Sequence, residues 1–355
     1  MNTDSYFSQD YTQARQRFLA AARTAGAVLH CLELDAWGPA GSLLSIDIAW
    51  LGSARPQRVV LHSSGIHGVE GFVGSAIQLQ TLAKPPVLAA DSALLLVHIL
   101  NPYGMAWLRR VNAANVDLNR NFPGPGQHWT GAPAAYRTLN DFLNPASPPA
   151  WDGFLLRLGL AILRYGFSAL LQAVATGQYD YPRALFYGGN ALQPELHLYL
   201  DWLSAQLNNA EFVLAIDVHS GLGPWGRESL FAETQFSTML KTLLAPRPFA
   251  AMPYNNQGGL CAALPLVLPH ARVAALTQEF GTYLPLRILH ALREENRWHH
   301  YGKGSLDHPS KRRLLRSFCP PAPTWRTAVL EQGRSLVQQA VAALNHFQEV
   351  DGYRF

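Results

Sequence analysis

The sequence predicts an α/β protein, a mixed or parallel sheet with helices on both faces. Short apolar, β-branched runs recur along the chain, and segments with the 3.6-residue spacing of amphipathic helices lie between them. Three of those runs lead into residues of the kind that bind metal ions. That is where ligands gather in open α/β sheets, at the carboxyl ends of strands. The chain has 355 residues, 48% hydrophobic and 15% charged, enough to bury a large core.

Residues 8–24 read as a helix, and 27–34 with 43–51 as a first hairpin. Arg58-Val59-Val60-Leu61-His62-Ser63 reads as a buried strand. Gly65 and Gly68 permit a tight turn after it, and 71–82 is helical, with Phe72, Ala76, Leu79 and Leu82 on one side. Residues 93–100 form another buried strand, ending in Asn101-Pro102-Tyr103-Gly104. Six prolines between 122 and 149 mark a loop-rich stretch. Residues 154–174 are the most apolar long segment. Arg157 and Arg164, seven apart and on one helical face, make it an amphipathic helix and not a membrane span, with two helices expected between 150 and 177. An aromatic loop at 179–190 precedes a helix at 193–208. A strand at 212–218 leads into His219, a helix follows at 233–244, and a strand at 273–278 leads into Glu279. Helices at 285–301 and about 324–349 complete the chain, the last after the proline-rich linker 319–323. There is no internal repeat. We expect one domain over 1–355, with a helical and loop insert at about 123–209.

The formal charge of +4 comes almost wholly from arginine, with lysine only at 84, 241, 303 and 311. No basic block exceeds Lys311-Arg312-Arg313, so nothing points to nucleic acid. Cys31, Cys261 and Cys319 are sparse and lack Cys-x-x-Cys spacing, which argues against a disulfide framework or a cysteine zinc site. No basic segment followed by an apolar core opens the chain, and the expected location is cytoplasmic, without a membrane partner. No Gly-x-Ser-x-Gly elbow supports serine hydrolysis.

His-x-x-Glu occurs at His30/Glu33, His67/Glu70 and His346/Glu349, but only the middle copy has a strand–glycine–helix setting. There an imidazole and a carboxylate three apart can reach one ion. With His219 they make two histidines and one carboxylate, a common zinc set that leaves a position for water, and Glu279 is a further carboxylate to take that water's proton. Between them runs Arg109-Arg110-Val111-Asn112-Ala113-Ala114-Asn115-Val116-Asp117-Leu118-Asn119-Arg120-Asn121-Phe122, poor core material whose arginines could clamp a carboxylate or hold an oxyanion. Each residue also has a plainer reading: His219 a satisfied strand-end histidine, Asp117 a turn cap, Arg109 and Arg120 surface charges, His299-His300 a helix-surface pair, and the aromatics at 179–187 loop packing.

Taken in order, His-x-x-Glu, Asn-Pro-x-Gly, Arg-x-Asn, Val-Asp-x-Asn-Arg-Asn-Phe, a strand-end histidine and a later glutamate resemble the zinc carboxypeptidase superfamily, in a branch known mainly as a domain of unknown function. The resemblance spans roughly residues 55–302. It implies a mixed, mostly parallel sheet of about eight strands, and one zinc ion per chain held by His67, Glu70 and His219. It makes Asp117 the carboxylate behind the first histidine, Glu279 the general base, and Arg110 the arginine that polarises the scissile carbonyl. Asn119 and Arg120 resemble the pair that grips the substrate's carboxylate. The capping tyrosine has no secure counterpart; Tyr254 is the candidate, with Tyr283 and Tyr187 as others. The implied activity is hydrolysis of an amide bond beside a free carboxylate, in a peptide (a carboxypeptidase) or an acyl-amino acid (a deacylase). A non-catalytic binding module is the reading from another class. Oligomeric state is left open.

Overall fold

A computed structural model describes residues 3–346 apart from 123, 125, 127, 255 and 256. In chain order the elements are α1 (Tyr11–Thr24), β1 (Val28–Trp37), β2 (Leu43–Gly52), β3 (Arg58–Ser64), α2 (Gly71–Ala83), β4 (Ser92–His98), α3 (Pro102–Ala106), α4 (Ala134–Leu143), α5 (Phe154–Tyr165) and α6 (Phe167–Ala175). They continue with α7 (Pro194–Gln206), β5 (Phe212–Gly221), β6 (Glu228–Ala232), α8 (Ser237–Leu243), α9 (Leu260–Val267), β7 (Arg272–Gly281), α10 (Pro285–Tyr301), α11 (Pro309–Phe318) and α12 (Pro323–Asn345).

The sheet order is β1-β2-β4-β3-β5-β7-β6. The inner strands β4, β3, β5 and β7 run parallel, whereas β1 and β2 at one side and β6 at the other pair antiparallel. The sheet is mixed, as expected. It has seven strands among the described residues, not about eight, and its parallel pairing is confined to the centre. β4 and β5 are buried along their whole length, which is why they read as unbroken apolar runs. Alternate side chains feed two cores. Val59, Leu61, Val97 and Val213 meet Leu196, Tyr199 and Leu264 of α7 and α9. Val60, Leu96, Leu214 and Ile216 meet Phe18 of α1 and Leu336 and Val337 of α12 on the other face.

Several elements depart from the sequence reading. The stretch between 122 and 149 is not all loop: Pro133 caps α4, whose apolar side is buried through Tyr136, Phe142 and Leu143. The two helices expected between 150 and 177 are α5 and α6, bent by 109° because Gly166 at φ +81° turns the chain between them, so that 154–174 is not one amphipathic helix. β6 and α11 were not anticipated, nor was α9, which tolerates Pro265 within it. The last helix ends at Asn345; residues 347–349, with Glu349 of the third His-x-x-Glu copy, and Pro123 lie outside the described residues.

The insert is fastened to α10. Tyr136, Phe142, Leu158 and Val174 pack with Leu286 and Leu289. Arg293 Nε donates to Phe142 O at 3.1 Å, Arg297 Nη2 donates to Pro148 O at 2.6 Å, and both guanidiniums pair with Asp152.

Candidate metal centre

The central strands decide where the site forms. β3 lies beside β5, and β5 beside β7, all parallel, so their carboxyl ends are adjacent. His219 and Glu279 are register partners across β5 and β7. His67 lies three residues beyond the end of β3 and opens a 3-10 turn, Gly68–Glu70, that runs into α2.

A second backbone layer locks that turn. Gly68 N donates to Arg110 O at 3.0 Å and Val69 N to Arg109 O at 2.8 Å. Asn101 accepts from Gly104 N at 2.8 Å and donates through Nδ2 to Arg110 O at 3.2 Å. A Cβ on Gly68 would sit 2.2 Å from the Gly104 carbonyl carbon, so only glycine allows the two segments to touch. The Asn-Pro-x-Gly motif is thus the brace that carries Arg110 to the His-x-x-Glu turn.

Three sequence-predicted ligands converge. His67 Nδ1 lies 3.0 Å from Glu70 Oε1 and 3.1 Å from His219 Nδ1, and His219 Nδ1 lies 3.3 Å from Glu70 Oε2. All three residues are buried. Each imidazole turns its other nitrogen to a carboxylate: His67 Nε2 to Asp117 Oδ1 at 3.1 Å, and His219 Nε2 to Asp217 Oδ2 at 2.7 Å. His219 Nε2 donates to Asp217, His67 Nε2 lies against both Asp117 Oδ1 and Arg110 Nη2, the latter at 2.6 Å, and both Nδ1 atoms face inward, with Glu70, across about 3 Å. Such a set is held together by positive charge between its members, a proton or a metal ion. Ligands bound tetrahedrally at about 2.0–2.1 Å stand about 3.3 Å apart, close to the spacing here. Nitrogen and carboxylate donors without thiolate suit zinc. The chain's residues therefore fit a divalent ion at this point.

The surrounding charges agree. Burial opposes ionisation of Glu70, but His67 and His219 outweigh it and hold the carboxyl well below its usual range. Burial likewise opposes a charge on His219, yet Asp217 and Glu70 raise its pKa well above the ordinary value, the mark of a place that favours positive charge. Burial, and next the Glu70 carboxylate, push Glu279 up to about 8. Leu222 N donates to Glu279 Oε1 at 2.8 Å, and Ser220 N to Glu70 Oε2 at 2.9 Å.

Arg110 donates through Nε to Asp117 Oδ2 at 3.0 Å and through Nη1 to Glu70 Oε1 at 3.2 Å, and it faces the Phe186 ring. Asp117 both caps the following turn, accepting from Asn119 N, and backs His67. Asn119, Arg120 and Tyr254 line the same cleft. Arg120 is buried, not a surface charge. Its Nε and Nη2 donate to Ala175 O, at 3.0 and 2.7 Å, and its Nη1 donates to Asn119 O at 2.6 Å. Of the other tyrosines, Tyr187 belongs to the core and Tyr283 meets Trp225 edge to face and lies under the Arg287 guanidinium, outside the cleft lining. The loop aromatics pack as loops do, Tyr179 donating its hydroxyl to Arg120 O at 2.8 Å.

Two further readings need correction. Arg109 is not a surface charge: it is wholly buried, bonded to Glu295 at 3.0 Å and Asn115 at 2.9 Å. His299 and His300 are not a surface pair; they are partly buried near Arg109, and burial foremost lowers them to about 3 and 4. Asp217 was missed. Its position two residues before His219, on one face of a strand, is the signal that reveals it.

A family model described as "Protein of unknown function (DUF2817)" matches residues 7–332. The chain belongs to the DUF2817 family. No curated protein matches it. Among solved structures, this DUF2817 chain is similar to carboxypeptidase A from Helicoverpa armigera, at 14% identity and TM-score 0.45 over 87% of this chain and 74% of that one. It is similar to the murein-tripeptide amidase MpaA from Escherichia coli O157 at 16% identity and TM-score 0.37, over 76% and 92%. It is also similar to bovine thrombin-activatable fibrinolysis inhibitor, at 10% identity and TM-score 0.43, over 93% and 98%.

Proposed function

We propose that this DUF2817 protein is a metal-dependent hydrolase of an amide bond beside a free carboxylate, in peptides as a carboxypeptidase or in acyl-amino acids as a deacylase. His67, Glu70 and His219 hold the ion, one zinc per chain. When bound, zinc supplies a Lewis acid that activates water and polarises a carbonyl. Glu279 accepts the proton of the attacking water and returns it to the leaving nitrogen. Its Oε1 is held by Leu222 N, which leaves Oε2 for that proton. The raised pKa suits a group that must both take and give a proton near neutrality. Arg110, fixed by Asp117 and Glu70, presents its remaining donors to the oxyanion. Arg120 has one N–H on each terminal nitrogen beyond those given to Ala175 O and Asn119 O among the described residues, and with Asn119 and Tyr254 orients the substrate's carboxylate.

The observation that carries this reading is the meeting of two imidazole Nδ1 atoms and Glu70, with Glu279 in register beside His219. The test is metal analysis together with hydrolysis of peptides and acyl-amino acids. Glu279→Gln should keep stoichiometric zinc while hydrolysis falls by about 10²-fold or more. Wild-type activity in that variant, or a wild-type protein that binds no divalent ion, overturns it.

A further inference from the structure

The cleft above the metal centre continues away from it. Its lining passes from the polar groups around His67, Glu70 and His219 to an apolar wall. One arm of it is lined by Phe142, Leu158 and Leu170 of the insert and by Leu286, Leu289 and Leu292 of α10, several of which also pack on one another. Every residue that α4, α5, α6 and α10 contribute to this wall is apolar. The arm is also built firmly, since Arg293 and Arg297 tie Asp152 and the carbonyls of Phe142 and Pro148 to α10.

We propose that this arm holds the acyl chain of the substrate, so that the bond cleaved joins a long-chain fatty acid to an amino acid. The proposal rests on the amidohydrolase reading above and names its substrate class. A peptide laid along this wall would bury backbone N–H and C=O groups with no side chain to pair them, at a cost for every residue. A methylene chain has no such groups, and each of its carbons gains by leaving water. Direction follows from the other end. Asn119, Met252, Tyr254 and Thr277 line both this cleft and a second one that contains Glu233, Ser237 and Lys241. The carboxylate-bearing head belongs at that polar junction, which leaves the apolar arm to the acyl side. In the reaction the amide C–N bond breaks and the water oxygen bonds to the carbonyl carbon. The leaving nitrogen takes a proton, and the products are a fatty acid and a free amino acid.

The test is a series of N-acylglycines and N-acylleucines from acetyl to hexadecanoyl, with dodecanoate binding to the zinc-loaded protein measured separately by calorimetry. kcat/KM should rise about threefold to fourfold per methylene until the arm is full, at least about 100-fold from acetyl to dodecanoyl. Leu158→Trp and Leu170→Trp should move the optimum to shorter chains. The long-to-short ratio is read within one preparation, so partial misfolding cancels. A flat or falling profile, with acetyl or peptide substrates still cleaved, overturns the acyl arm and leaves the amidohydrolase reading standing. If no substrate is cleaved, the amidohydrolase reading is in question, and binding decides the arm: dodecanoate bound at micromolar concentration supports it, and no binding overturns it.

Discussion

Arg109 and Arg110 are neighbours in sequence with opposite employments. Arg110 turns to the cleft and to Glu70, whereas Arg109 turns into the protein and meets Glu295, itself bonded by Lys311 Nζ at 2.6 Å. Burial works against a charge on Glu295, but Arg109 and then Lys311 hold its carboxyl below the usual range. Removing one partner of a buried ion pair leaves charge and hydrogen-bonding groups unpaired. Arg109→Met should therefore cost about 3 kcal/mol, measured as a shift in the urea midpoint. No local feature of the sequence separates the two arginines. They diverge because the backbone carbonyls of both residues are committed to the Gly68–Glu70 turn, which fixes where each side chain points.

Among the elements, β3 and β4 carry an unusual cost. His62 in β3 and His98 in β4 are wholly buried, His62 beside Gln78 and His98 bonded to Ser75 and stacked on Phe18. Burial lowers both to about 4. A base with a depressed folded-state pKa binds its proton more readily when unfolded, so stability is full above the ordinary value of about 6.5 and is lost as pH falls toward 4. The loss should be on the order of 3 kcal/mol per histidine across that window, read as a urea midpoint lower at pH 4.5 than at pH 7. His98→Phe, filling the same place against Phe18, should flatten the dependence. The strands themselves were legible as apolar runs. The partners of the histidines within them were not legible, because a sequence does not say which polar group will find a partner on α2.

At the scale of the molecule, the insert is apolar on both sides. Leu158, Ala161 and Ile162 of α5 line the cleft, while Leu156, Leu160 and Leu163, four and three residues apart, form an outward stripe that is 72, 58 and 83% exposed. Trp151 just before it is 95% exposed. No single described helix is long and apolar enough to cross a membrane. A stripe of this kind drives association. The protein should therefore show an apparent mass that rises with concentration in sedimentation, and Leu156→Gln combined with Leu163→Gln should suppress the rise.

The candidate ligand types, their order and their strand-end settings were determined by the sequence alone. The reason is local: β-branched runs make buried strands, glycines make the turns, and His-x-x-Glu across such a turn can share one ion. The tertiary structure alone decided three other things: which strands are neighbours, that Asp217 backs His219, and that the insert folds over the cleft to make an apolar arm. Those depend on contacts between residues far apart in the chain. A pattern read along one segment carries no record of what will lie across from it.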